Sequence, residues 1–364
     1  MAKLMLPFHL KQAGCYCCSI RRAYEEAKPA ATEEKAAATE EKVAATEAAA
    51  APAAGSDEVF RIAVVTPSTK NDLAFSQSMY DALVKIQKEM GGPDKLEIAI
   101  SESMFKVEDA AAAIRDYASQ GYNLVIAHGS QYGTSLAEIA PDFPDTSFAW
   151  GTTVDTFKDK GVENVFAYTT NASEGGYVQG VMAAKLTKSK KIGVVGPIAV
   201  GDALLYVEGF KKGVKATDPS VEVLEVYTGS FSDVALASQA AQTHIDAGAD
   251  ILTGTGQMVV GAIGVAKEKK VLWFSTQATQ ASLAPEIVVS AQVYDWTDAI
   301  KQIISNVQKG TKGGEVYTLS LKNGGLKMEF NPGYKLADEV KAAADETIKG
   351  IVDGKIDATV ATKK

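Results

Sequence analysis

The chain has 364 residues, 46% apolar and 23% charged, with a formal net charge of −8. Setting aside an atypical N-terminal segment leaves about 300 residues, enough for two α/β lobes of ordinary size, each with its own core. Charge spread along the chain without a basic stripe argues against nucleic acid; no apolar run after residue 56 approaches the roughly 18 residues of a membrane span; and a body without cysteine has no thiol nucleophile or thiolate ligand.

All three cysteines, Cys15, Cys17 and Cys18, stand near the N-terminus. The opening MAKLMLPFHLKQAGCYCC sets Lys3, an apolar piece from Leu4 to Leu10 and then Ala-Gly-Cys in the order of a bacterial lipoprotein signal. On that reading residues 1–24 are a divergent signal and anchor region, with Cys15 the lipidated residue. Pro7 and His9 interrupt the apolar piece and Gln12 stands where such signals usually carry leucine, so a misassigned start, or a cysteine cluster for zinc or palmitate, stays open beside it. Residues 25–56 shift to Ala, Glu, Lys and Thr, repeating at Thr32, Thr39 and Thr46 with only alanine and Val43 at the apolar positions. Such a segment buries too little to pack and reads as a flexible tether ending at Pro52 and Gly55.

From residue 60 the pattern alternates. FRIAVVTP (60–67) predicts a strand, followed by a helix over 72–90, strands at 95–101, 123–128, 146–151 and 163–169, and helices at 107–120 and 174–187. The plan then repeats about 130 residues on: KKIGVVGP (190–197) echoes FRIAVVTP, and AAQTHIDAGADILTGTG (240–256) echoes AIRDYASQGYNLVIAHG (113–129). In both, a glycine (Gly121, Gly248) ends an amphipathic helix and an apolar run suited to a strand covered on both faces follows. Strands at 221–228, 250–255, 270–275 and 286–294 and helices at 202–215, 233–247 and 258–268 complete the second unit. A helix at 297–309, a strand pair in GEVYTLSLKNGGLKMEF and a final helix at 336–353 close the chain. Residues 57–170 plus about 297–320 are expected to form an N-terminal lobe, 171–285 plus about 325–353 a C-terminal lobe, and 354–364 a tail.

The residues of an enzyme site are missing. Pro67 and Pro197 stand where a dinucleotide fingerprint needs glycine, there is no P-loop, G-x-S-x-G or H-E-x-x-H, and the histidines are only His9, His128 and His244. Neither cofactor nor metal is called for. His244 reads as a partly exposed helix residue; His128, ending a strand, is expected to line a cleft. The strand ends instead carry amides, hydroxyls and rings: Asn71, Asp72 and Phe75, then His128, Gly129, Ser130, Gln131 and Tyr132, then Trp150, Gln257, Gln277 and Trp296. Such groups suit a flat, weakly polar ligand stacked on rings and oriented by a few hydrogen bonds.

NDLAFSQSMYDAL (71–83) resembles the first loop, D-x-S-F-N-Q followed by a helix, of the basic membrane protein group of bacterial substrate-binding lipoproteins, which serve ABC importers. NASEGGYVQGVMAAKLTKSKKIGVVGP, carrying Glu174, Gly180, Ala183 and Ala184, is similar to that family's middle signature, and the resemblance covers roughly residues 58–353. It implies a type I periplasmic-binding-protein fold, two Rossmann-like lobes with parallel sheets joined by a hinge, closing on a purine base or nucleoside and delivering it to an ABC permease and its ATPase. It also implies a monomer outside the cytoplasm, periplasmic or held to the membrane only through a lipid anchor. Phe75 falls at the family's stacking aromatic, and Asn71 and Asp72 at its polar contacts. The family's nucleoside binders carry an aspartate where this chain has FSTQATQ, so the resemblance points to a base such as adenine, sandwiched by Phe75 and Trp296 and read by Gln277. A ligand-sensing domain for a receptor or regulator, or a sugar- or autoinducer-binding protein, is the alternative on the same fold.

Overall fold

The structure is a computed structural model that describes residues 59–361; the expected anchor with Cys15, the tether and the last residues of the tail lie outside them. The first sheet is built from β1 (Phe60–Val65), β2 (Leu96–Ser101), β3 (Leu124–Ala127), β4 (Ser147–Gly151), β5 (Val165–Thr170) and a late strand, β11 (Val316–Leu319), in the order β11-β5-β4-β3-β1-β2. All its pairings are parallel. Parallel strands need crossovers, and α1 (Phe75–Glu89), α2 (Val107–Ser119) and the short α3 (Gly133–Ile139), which the sequence reading missed, supply them. The second sheet has β6 (Lys191–Gly196), β7 (Glu222–Tyr227), β8 (Ile251–Gly254), β9 (Leu272–Thr276), β10 (Val288–Tyr294) and β12 (Leu326–Phe330), in the order β12-β10-β9-β8-β6-β7. Its crossovers are α5 (Gly201–Thr217), α6 (Val234–Asp246) and α7 (Val259–Lys269), and only β12 runs antiparallel. Central strands such as β1, β3 and β8 are buried along their length, which is why they read as unbroken apolar runs.

The chain passes between the sheets after β5, after β10 and between β11 and β12. The two strands of GEVYTLSLKNGGLKMEF do not pair with each other: β11 joins β5 while β12 joins β10. A hairpin would have left the edges of both β5 and β10 unpaired; parting the two strands satisfies both. The crossing turn is held by Asn323, whose side-chain oxygen accepts from the N–H of Ser320, and by Gly324 at positive φ. His244 corrects a second expectation. It is buried and its Nε2–H donates to the carbonyl of Val194 at 3.1 Å, tying α6 to the middle of β6.

Helix α4 (Ala172–Leu186) follows the first crossing and is buried on every face over most of its length. It packs against α5 at backbone distance, and α9 (Asp338–Val352) covers it from outside; α8 (Thr297–Gln308) packs on α1. The close approach depends on glycines on both helices: a Cβ at Gly180 would lie 2.1 Å from the Phe210 carbonyl oxygen, and one at Gly213 2.1 Å from that of Tyr177. Across this seam Gln179 and Tyr206 hydrogen-bond, and Gln179 donates to the Ser275 carbonyl. The helix crossing between the lobes is thereby locked to the second one. Gly180→Ala should cost about 1–3 kcal/mol despite alanine's better helix propensity, because backbone on both sides must move; an unchanged urea midpoint would contradict this packing.

Candidate functional site

The C-terminal ends of both sheets meet across a cavity of about 640 Å³, the position expected for a ligand between parallel sheets. Its first-lobe wall is led by Phe75, the first residue of α1. Asp72 starts that helix by accepting from the N–H groups of Ala74, Ser76 and Gln77 at 2.8, 3.2 and 3.1 Å. Behind Phe75 the imidazole of His128 stacks parallel at 3.8 Å between centroids. Its Nε2 lies 3.1 Å from the Phe75 carbonyl oxygen, which can only accept, so Nε2 carries the proton and Nδ1 accepts from the Tyr168 hydroxyl at 2.7 Å. Burial lowers the His128 pKa to about 3, so the ring stays neutral. Trp296 closes the cluster from below, edge-on to Phe75, His128 and Tyr168, with Nε1–H donating to Ser78 at 2.9 Å.

This arrangement sorts the residues expected from the sequence. Phe75, Gly129, Ser130, Gln131, Gln257 and Gln277 line the cavity. Trp296 does not: it is fully buried, and its ring stands at 90° to Phe75 with centroids 6.0 Å apart. A planar ligand between two rings needs parallel faces about 7 Å apart, so the Phe75/Trp296 sandwich is ruled out. His128 backs the wall and does not face the cleft. Tyr132 is buried with its hydroxyl donating to the Met104 carbonyl. Trp150 stacks on Phe157 and donates to the Gly129 carbonyl, fixing the loop rather than the ligand. Asp72 is committed to the cap, and Asn71 is exposed outside the cavity.

Several lining residues went unread in the sequence. Phe105 follows β2, Phe231 follows β7 in TGSFSD, Asp202 lies on the first turn of α5, and Tyr294 ends β10. The strand-end rule that selected Phe75 applied equally to these positions. Asp202 is the one acidic residue of the lining, which holds no lysine, arginine or histidine. Burial raises its pKa to about 6, while its own backbone N–H and the Tyr294 hydroxyl draw it back toward the charged form. The buried Oε1 of Gln257 has no hydrogen-bond partner among the described residues. Gln277 is held at φ 111° by its N–H to the Gln292 carbonyl, and its Oε1 accepts from the Tyr294 N–H at 3.4 Å. At the mouth the Thr279 hydroxyl donates to the Leu73 carbonyl at 3.1 Å, joining a loop of one lobe to a loop of the other. Among the described residues no cluster of His, Cys, Asp or Glu is suited to a metal, and no helix is long and apolar enough to cross a membrane.

Over residues 59–360 the chain matches the family described as ABC transporter substrate-binding protein PnrA-like. It is 27% identical over 304 residues to a purine-binding protein of Brucella abortus, covering 84% of each chain. It is 26% identical over 277 residues to the transcriptional activator protein med of Bacillus subtilis, covering 76% of this chain and 84% of that one. An ABC transporter solute-binding protein from Conexibacter woesei has the same fold, with a TM-score of 0.67 at 23% identity, covering 82% of this chain and 98% of that one. A transcriptional activator of the comK gene from Bacillus halodurans does too, with a TM-score of 0.66 at 19% identity, covering 82% of this chain and 99% of that one. The two lobes with parallel sheets are those of the type I periplasmic-binding-protein fold. Substrate-binding proteins of ABC transporters are not enzymes; they work outside the cytoplasm, taking up a small molecule for a permease and its ATPase. The match runs from the first described strand to beyond the last described helix, and the chain belongs to the PnrA-like, or basic membrane protein, family of ABC transporter substrate-binding proteins.

Proposed function

We propose that this protein captures a purine base or nucleoside outside the cytoplasm and delivers it, as a monomer, to an ABC permease and ATPase. The observation that carries this reading is a cavity with phenylalanines from both lobes, Phe75 and Phe105 on one side and Phe231 on the other, set among amides and hydroxyls with one acid. Rings on both sides suit a flat heteroaromatic molecule, and a few polar groups suit its edges. The names of the Brucella abortus relative, a purine-binding protein, and of a nucleoside-binding ABC transporter protein of Lactococcus lactis support the same ligand class. Phe231 takes the partner role that the sequence reading assigned to Trp296. Anchoring through Cys15 and a tether over 25–56 would hold the lobes near the permease while leaving them free to turn; both are part of the proposal. A sensing domain is the second reading, favoured by the relatives named as transcriptional activators. It would use the same cavity.

A thermal-shift screen of the full chain against purine bases, nucleosides, pentoses and hexoses tests the ligand class. A ligand at a thousand times its Kd adds about 4 kcal/mol of stability, so a purine should raise Tm clearly and hexoses should not; a response to hexoses alone would end the purine reading. Phe75→Ala and Phe231→Ala should each weaken purine binding by about 1–3 kcal/mol. Trp296→Ala should instead cost about 3–5 kcal/mol of folding stability. Calorimetric titration and urea unfolding of the three variants separate the two effects, and undiminished binding in both phenylalanine variants would refute the stacking.

A further inference from the structure

The second lobe places in the cavity lining a carboxylate with no cation among the described lining residues and an amide oxygen with no donor among the described residues. One is the carboxylate of Asp202, on the first turn of α5; the other is Oε1 of Gln257, buried after β8 and without a partner among the described residues. A half-buried carboxylate without a cation is costly, and so is a buried amide oxygen without a donor. The groups bearing on Asp202 are the Tyr294 hydroxyl from β10, Tyr168 from β5, and its own backbone N–H. Tyr206, one turn along α5, couples to Tyr294, and the neutral His128 stands behind Tyr168 on β3. None of these is a cation. The stretch FSTQATQ, meanwhile, offers no acid, and the Gln277 amide oxygen there is engaged by the Tyr294 N–H.

We propose that Asp202, in the same lining as Gln257, is the residue that selects the ligand, by accepting two hydrogen bonds from a pair of adjacent donors. Such a pair is found on the N1–H and N2–H₂ edge of a guanine-type base and on the 2′,3′-hydroxyls of a ribose. This rests on the purine reading above and narrows it. Adenine presents an N6–H₂ donor beside the N1 lone pair, and that lone pair would face the carboxylate. A buried polar group left unmatched discriminates strongly against the ligand that leaves it so. The acid that the sequence reading sought at the end of β9 is supplied from the start of α5.

Protonation gives the proposal a second signature. Above about pH 6 Asp202 is a carboxylate and accepts from both donors; below, one oxygen carries a proton and repels one of them. Affinity for a donor-pair ligand therefore falls as the pH drops through about 6, by roughly tenfold at pH 5. The preference over adenine shrinks with it.

The test is calorimetric titration of the full chain with guanine, adenosine, ribose and adenine at pH 7.5 and pH 5, in the wild type, Asp202→Asn and Gln257→Met. Asparagine keeps the shape of aspartate and is equally good at a helix start, so the variant retains its fold, checked by circular dichroism. At pH 7.5 the wild type should bind guanine or adenosine at least about tenfold more tightly than adenine. Asp202→Asn should bring that ratio near unity and abolish its pH dependence, and Gln257→Met should lower it less. The guanine and adenosine arms tell a base edge from a ribose diol. A ratio unchanged in Asp202→Asn, or adenine as the tightest wild-type ligand, would overturn the proposal. Ribose binding alone, lost in Asp202→Asn, would retire the purine reading and support the donor-pair assignment; silence of the wild type with all four would overturn both.

Discussion

The neutral imidazole of His128 is the interaction around which the cleft is organised. It joins the end of β3 to the first residue of α1 through the Phe75 carbonyl, and to β5 through the Tyr168 hydroxyl, while its face supports the Phe75 ring. Trp296 touches that ring stack edge-on at the second crossing between the lobes. Each bond uses up a polar group that would otherwise be stranded in an apolar setting. The outcome is a rigid aromatic wall whose orientation is set before a ligand arrives, the arrangement that lowers the entropic cost of binding.

The two lobes thus divide their tasks. The first supplies the ring stack and the short Gly129–Gln131 segment, held by the Trp150 indole N–H on the Gly129 carbonyl. The second supplies most of the polar groups, Asp202, Gln257, Thr255 and Thr276 among them. On the proposed reading the stacking rings come from both lobes and most of the placed acceptors from the second, and it is the acceptors rather than the stacking that discriminate among flat molecules. The backbone contact of α4 with α5 ties the crossing helix to the polar lobe.

Most of the architecture was legible in the sequence because it depends on local patterning. Apolar runs covered on both faces, glycine helix ends and the FRIAVVTP/KKIGVVGP echo each reflect a local requirement of a parallel sheet. GEVYTLSLKNGGLKMEF reads as one strand in each lobe, but local patterning does not say which sheet edge each strand joins. The site was legible only in part. The strand-end rule found Phe75, Gln257 and Gln277, but it cannot tell a ring facing the cleft from one behind it, and Trp296 and His128 lie behind. Phe231 and Asp202 also follow strand ends, but only the meeting of the two lobes shows that they face the cavity.

Leu73, Thr152 and Gln277 stand at the mouth with φ of 56°, 63° and 111°, values that side chains other than glycine adopt at a cost. Each such residue carries on the order of 1–3 kcal/mol of backbone strain. Leu73 and Gln277 flank the Thr279 to Leu73 bond, and a Cβ on Gly201 of the second lobe would touch Thr152. On the proposed reading of two lobes that close on ligand, any strain released on opening is subtracted from the closed population, and apparent affinity falls in proportion to that population. Backbone strain at Leu73, which does not line the cavity, can therefore tune apparent affinity without that side chain meeting the ligand.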